Sequence, residues 1–348
     1  MGLLQKSWQF YKKQILNQDV EKLRPRFINN SKSLVFYITS KCNFTCRHCM
    51  RDFSDQRELP LELAKSIVNS AKHYNYNRIV FTGGEPFLYS GVREISDYCA
   101  SRNLGIHFVS NGWLFQDYVD IFRKYRNRAT VAFSLEDDNA SGHDFIRRKG
   151  SFARQLKNFK LARKHKIPFR VIFTISPRNY DKVFNMALFA KKQGARALAF
   201  TTMLPCPKTK EYGLVLDKPS RQKLFVLLIK LRKIIRLPIV IAADIRAESG
   251  VQMCRSLKME ELTVDVEGNF VHCCEMAGFD SAVVASHSLV KKNKQESFAQ
   301  GFKKLNQYVD NFSCQRIDDY QEQQDIHDID FNSCFYCLSK LLKADETG

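Results

Sequence analysis

Three cysteines stand in one short run, Cys42-Asn-Phe-Thr-Cys46-Arg-His-Cys49. The C-x3-C-x2-C spacing brings three thiolates into a single loop, enough to cap three corners of a cubane 4Fe–4S cluster and leave the fourth iron without a protein ligand. An iron left open takes an outside ligand, so the run predicts chemistry as well as structure. The competing reading is zinc, which wants a fourth Cys or His nearby; His48 lies inside the loop rather than beyond it.

A second set of cysteines falls near the other end: Cys254, Cys273 and the pair Cys334-Phe-Tyr-Cys337. Between the first two, the stretch from Leu262 to Cys273 alternates around Gly268-Asn269, the pattern of a hairpin. One ligand before the hairpin, one on it and a late C-x2-C supply four thiolates to one site. That set suits a fully ligated second 4Fe–4S cluster with an electron-transfer role, and four cysteines are also a zinc set. Cys274 is an alternative to Cys273. The chain has eleven cysteines in all. It shows no apolar run of signal-peptide or membrane-span length, which predicts a cytoplasmic location where clustered cysteines mean metal or redox work rather than disulfides.

The elements that must position these thiols are legible. The run Ser33-Leu-Val-Phe-Tyr-Ile-Thr39 reads as a buried strand directly before the first cysteine loop. From there to Thr202, strand-like runs alternate with helix-like ones at 61–74, 91–103, 115–125, 152–166 and 179–193, and a sixth helix at 218–236 follows. Six strands each followed by a helix imply an α/β fold with a parallel sheet and right-handed crossovers. Sites on such sheets lie at the C-terminal ends of the strands, where the first cysteine loop falls.

Further residues follow strands in order. Gly83-Gly84-Glu85-Pro86 comes after the strand ending at Phe81, Asn111-Gly112 ends another strand, and Ser134 with Glu136 ends a fourth. His143-Asp144-Phe-Ile-Arg147 and Gly150-Ser-Phe152 come next. A strand followed by C-x3-C-x2-C and then this series resembles the radical S-adenosylmethionine (SAM) superfamily. The C-terminal set resembles the twitch domain, the shorter relative of the SPASM extension.

The resemblance implies a partial (β/α)6 barrel of TIM type with a small cysteine-rich C-terminal domain of β-hairpin and helix. It divides the chain into a basic and aromatic arm at 1–32, a barrel at 33–236, a twitch domain at 237–342 and a tail at 343–348. It implies Cys42, Cys46 and Cys49 as ligands of the SAM-binding 4Fe–4S cluster, with Gly83, Gly84, Glu85, Asn111, Ser134 and Arg147 around SAM. It implies Cys254, Cys273, Cys334 and Cys337 as ligands of an auxiliary 4Fe–4S cluster. Reductive cleavage of SAM would give a 5′-deoxyadenosyl radical that takes a carbon-bound hydrogen from substrate. The departure is Glu136 where Asp is usual, with Asp137 where Gly is common. Cys206, just past the sixth strand, is a candidate hydrogen-atom donor to a substrate radical. Glu136, Asp138 and Asp244 are equivalent candidates for a general base.

The resemblance, through the HDxxR stretch, favours a ribosomally made peptide or protein as substrate, to be oxidised, cross-linked or epimerised. The alternatives are an amino-sugar or nucleoside-like small molecule, RNA modification, or a cluster-binding protein that never cleaves SAM. A reductant such as flavodoxin or ferredoxin is implied. With 55 Lys and Arg against 36 Asp and Glu, the net charge of +19 favours anionic partners such as an acidic precursor peptide. The charge is spread over the helices with no aromatic-and-basic RNA module, so nucleic acid is not the expected partner.

Overall fold

A computed structural model describes residues 32–245, 254–286, 298–322 and 332–341. The expected arm at 1–32, apart from Lys32, and the tail at 343–348 lie outside the described residues. The strands are β1 (Lys32–Thr39), β2 (Tyr76–Gly83), β3 (Gly105–Ser110), β4 (Ala129–Leu135), β5 (Phe169–Ile175), β6 (Ala197–Thr202), β7 (Ile239–Ile241), β8 (Glu261–Val264), β9 (Asn269–Val271) and β10 (Val283–Ser286). The helices are α1 (Leu61–His73), α2 (Val92–Ser101), α3 (Val119–Lys124), α4 (Ala140–Ile146), α5 (Ser151–Lys164), α6 (Val183–Lys192), α7 (Pro207–Glu211), α8 (Lys218–Ile235), α9 (Phe298–Glu322) and α10 (Ser333–Leu341).

All ten strands share one sheet in the order β10-β9-β8-β1-β2-β3-β4-β5-β6-β7. β1 to β7 run parallel, as the strand–helix alternation predicts. Two pairings go beyond the sequence reading. The stretch after α8 forms the seventh strand β7, parallel to β6, rather than a plain connection. The hairpin β8–β9 is continuous with the barrel sheet, because β8 pairs parallel with β1, Ser33 beside Glu261 and Phe36 beside Val264.

The core lies between the sheet and its helices. Phe36, Phe81, Phe108, Phe133, Phe173 and Phe200, one from each of six strands, are all fully buried on that side. Their rings run together, with Phe81 5.2 Å from Phe108 and Phe173 5.3 Å from Phe200 between centroids. Helix starts are fixed by side-chain caps where the chain must turn sharply. Asn139 Oδ1 accepts from Gly142 N (3.0 Å) at α4, and Asp217 Oδ1 accepts from Ser220 N (2.8 Å) at α8. Among the described residues no helix is long and apolar enough to cross a membrane.

Candidate active site

β1 ends at Thr39 and passes directly into the loop carrying Cys42, Cys46 and Cys49. The end of β2 lies against that loop. A Cβ at Gly83 would sit 2.3 Å from Thr39 O, and one at Gly84 would sit 2.1 Å from Lys41 O, so this approach needs glycine at both positions. Gly84 N donates to Thr39 O (2.7 Å) and Glu85 N to Lys41 O (2.8 Å). Those two amides are therefore engaged with the loop.

Glu85 works through its carboxylate as a brace. Oε1 accepts from Ser110 Oγ (2.8 Å) and Phe87 N (3.3 Å), and Oε2 accepts from Asn111 N (2.8 Å). Complete burial pushes this carboxyl up to about 7 despite those donors. Asn111 in turn donates from Nδ2 to Asn43 Oδ1 (2.8 Å) in the cysteine loop. From the helix side, Gln155 Nε2 of α5 donates to the carbonyls of Asn111 and Ser134 (3.0 Å each). The ends of β2, β3 and β4 and the cysteine loop are therefore one hydrogen-bonded unit.

Arg147 is buried, and its fork meets Glu136 Oε1 from Nε (2.7 Å) and Nη2 (2.6 Å). Glu136 Oε2 has no partner among the described residues. His143 holds the backbone of this pair, accepting Glu136 N at Nδ1 (3.1 Å), and Asp144 Oδ1 accepts from Phe152 N (2.8 Å) at the start of α5. The whole H-D-x-x-R stretch thus serves to place one guanidinium beside the thiols. Burial pushes the Cys46 thiol up to about 11 while the Arg147 charge opposes it, and burial pushes Cys42 up to about 12. Cys42 and Cys46, desolvated and acted on by the charge of Cys49, with one guanidinium as offset, form with it a donor set that gains most from a cationic iron centre.

The second set also converges. Cys334 and Cys337 stand one turn apart on α10. Cys273 follows β9 and packs with Cys334 around Leu204, Met276, Ala282 and Leu338. Burial pushes Cys273 up to about 12 and drives Cys334 and Cys337 well upward, and the charges of Cys273 and Cys254 add to the shift of both. Cys274 instead directs its thiol to the Glu261 carboxylate. No group of three or more His, Cys, Asp or Glu among the described residues is drawn in tightly enough for a single metal ion.

Two residues that the spacing of motifs does not flag join these sets. Arg51, two residues past Cys49, donates from Nη2 to Cys274 O (2.7 Å) and from Nη1 to Glu275 O (3.1 Å) and to Ala277 O. Met50 beside it packs on the apolar cluster that holds Cys273 and Cys334. His272 Nε2 lies 3.3 Å from Cys337 Sγ. A His directly before Cys273 on an alternating strand is the signal that could have found the second of these; Arg51 meets only backbone carbonyls, which no motif records.

Of the other candidates, Asp244 lies close to the second thiol set, where its charge adds to the upward shift of Cys334. Cys206 is half-buried at the start of α7, 3.4 Å from Thr209 Oγ1. Asp244 Oδ2 accepts from Thr201 Oγ1 (2.9 Å), Thr202 Oγ1 (2.6 Å) and Thr202 N. Cys99 is buried in the core and Cys314 is exposed on α9.

Comparison with known proteins supports the same reading. The chain is 29% identical over 169 residues to the antilisterial bacteriocin subtilosin biosynthesis protein AlbA of Bacillus subtilis, covering 47% of this chain and 38% of that protein. It is 29% identical over 177 residues to the mycofactocin maturase MftC of Mycolicibacterium smegmatis, covering 49% and 44% respectively. The chain spans about half or less of the length of these relatives. Among solved structures, Streptococcus suis SuiB bound to precursor peptide SuiA has a TM-score of 0.64 at 14% identity, over 80% of this chain and 66% of that one. Native anSMEcpe with bound AdoMet and a peptide has a TM-score of 0.63 at 16% identity, over 81% and 83%. Both share the fold. Residues 36–190 match the model of the radical SAM superfamily, so this stretch is a radical SAM domain, of the kind that binds a 4Fe–4S cluster and SAM.

Proposed function

We propose that this chain is a maturase that modifies a ribosomally made peptide, with an auxiliary 4Fe–4S cluster beside the SAM-binding one. Cys42, Cys46 and Cys49 would hold the first cluster, and Cys254, Cys273, Cys334 and Cys337 the second. When bound, the first cluster and SAM supply a carbon radical able to remove hydrogen from an unactivated carbon. This chain's residues position and enclose. The Glu85–Asn111–Asn43 chain fixes the cysteine loop, Ser134 presents its side chain at the end of β4, and Glu136 aims Arg147 at the thiols. Arg51 fixes the second set of thiols against the first.

The observation that carries the auxiliary cluster is the convergence of three desolvated thiols, Cys273, Cys334 and Cys337, with Cys254, whose charge acts on all three, next to the first loop. The peptide reading is supported by AlbA and MftC, named for a bacteriocin and a maturase, and by the peptide-bound fold neighbours. A flavodoxin or ferredoxin would supply the electron.

The test uses anaerobically reconstituted protein with dithionite and SAM, and reads 5′-deoxyadenosine. Release that rises on adding peptides encoded beside the gene, with a mass change in the peptide, is the expected result. Release that ignores every such peptide and rises with an amino-sugar or nucleoside would replace the peptide reading with the small-molecule one.

A further inference from the structure

The two faces of the parallel sheet differ. Ile79, Phe81, Phe108, Phe173 and Phe200 point to the helices and are at most 1% exposed. Between them, Val80, Val109, Ile172, Ala199 and Val240 point the other way, belong to no apolar cluster and stay half-buried. A closed TIM barrel fills its inside with interlocking side chains. Here those five keep solvent access while Val35 and Ala132 of the same face are buried, so part of the inner face is open and forms a lumen.

At the N-terminal ends of the strands, opposite the cysteine loop, that inner face is basic. Arg78 of β2, His107 of β3 and Arg170 of β5 alternate with the helix-facing apolar residues and so share the lumen side. The Thr130 hydroxyl donates to Ile106 O (3.4 Å), which leaves its oxygen to accept His107 Nδ1–H (2.7 Å). His107 is 2% exposed, and its Nε2 has no partner among the described residues, nor has Arg170 Nε. Burial, and then the Arg78 charge, lowers Arg170 to about 9; burial with both arginines keeps His107 neutral. Among the described residues, Glu261 of β8 is the carboxylate whose charge reaches both Arg78 and Arg170; Arg255, which also acts on it, pairs with Glu260 (3.9 Å). Desolvated cations in excess of their counter-charge are unfavourable unless an anion completes them.

We propose that Arg78 and Arg170, with His107 beside them, bind a carboxylate at the floor of the lumen and thereby anchor the far end of an extended peptide. This rests on the peptide reading above. From Arg78 to Gly83 the strand rises roughly 16 Å, at about 3.3 Å per residue. Allowing for the length of the arginine side chain, about three to five extended residues join the floor to the mouth. The carboxylate is either the C-terminus of the peptide or an Asp or Glu side chain; a guanidinium fork binds both in the same way.

Reconstituted protein with SAM is titrated calorimetrically with three probes: N-acetyl-tetraalanine with a free C-terminus, its C-terminal amide, and N-acetyl-trialanyl-aspartic acid amide. A carboxylate probe is expected to bind about tenfold or more tighter than the plain amide. The preference should vanish in Arg170→Gln and in Arg78→Gln. Which carboxylate probe binds tighter identifies the source. Equal binding of all three, or a preference that survives both variants, overturns the proposal while leaving the peptide reading intact.

A second arm needs no peptide. Acetate should raise the melting temperature of the wild type above that in chloride of equal ionic strength, and should not do so for Arg170→Gln. If no peptide binds but acetate still discriminates, the site stands and the peptide reading fails. If acetate acts as chloride does, the carboxylate site itself is refuted.

Discussion

Arg51 Nη2 donates to the carbonyl oxygen of Cys274 at 2.7 Å, so the loop that carries Cys42, Cys46 and Cys49 is bonded directly to the turn that carries Cys273. The guanidinium also lies over Tyr37 of β1, 4.9 Å from the ring centroid. One side chain thereby fixes both thiol sets to the first strand of the barrel.

Replacing Arg51 with Met keeps the aliphatic stem and removes the donors. The expected loss is about 2 kcal/mol of stability, from hydrogen bonds made by a charged donor to backbone carbonyls. Denaturant unfolding measures it, and iron analysis of the same variant should show the second set losing iron before the first. Full stability with both sites loaded would mean that the contact does not hold the turn.

The pair Glu136–Arg147 is buried on both sides, with side-chain exposures of 0% and 10%. Glu136→Ala leaves a buried guanidinium without its partner and should cost about 3 kcal/mol. Arg147→Met combined with Glu136→Leu removes both charges and should recover most of that loss, while iron uptake at the first set stays impaired because the thiols lose their cation. Melting curves and iron content of the variants give the two readouts separately.

Glu85 predicts a pH signature. Its carboxyl is raised from an ordinary 4.5 to about 7 in the fold, so the folded protein holds a proton there that the unfolded chain releases. Stability from this group is greatest below about 4.5 and falls as pH rises through about 7, by about 3 kcal/mol in all. Glu85→Gln cannot ionise. Its melting temperature should therefore gain on the wild type between pH 4.5 and 7 and run parallel above that; parallel curves throughout would contradict a raised carboxyl.

Much of this was legible in the sequence because it is local. Apolar, β-branched and aromatic runs mark the strands of the barrel, and the spacing of Cys42, Cys46 and Cys49 marks a cluster loop without any knowledge of its surroundings. β7 was not legible: three residues, Ile239–Ile241, follow α8 with no strand-length pattern and owe their form to pairing with β6. The pairing of β8 with β1 joins segments far apart in the chain, and no local propensity encodes it. The close approach of Gly83 and Gly84 to the Thr39 and Lys41 backbone is not legible either, because it joins two separate strand ends. His107 and Arg170 were hidden for another reason. A parallel strand usually reads as buried on both faces, and only the lumen gives their polarity a meaning.

In the proposed function two separate thiol sets each hold an iron–sulfur cluster. Iron and sulfide content of the anaerobically reconstituted Cys42→Ala, Cys46→Ala, Cys49→Ala triple variant tests it most directly. About four irons per chain should be retained, held by Cys254, Cys273, Cys334 and Cys337. Loss of nearly all iron, above all with one zinc per chain in its place, would contradict it.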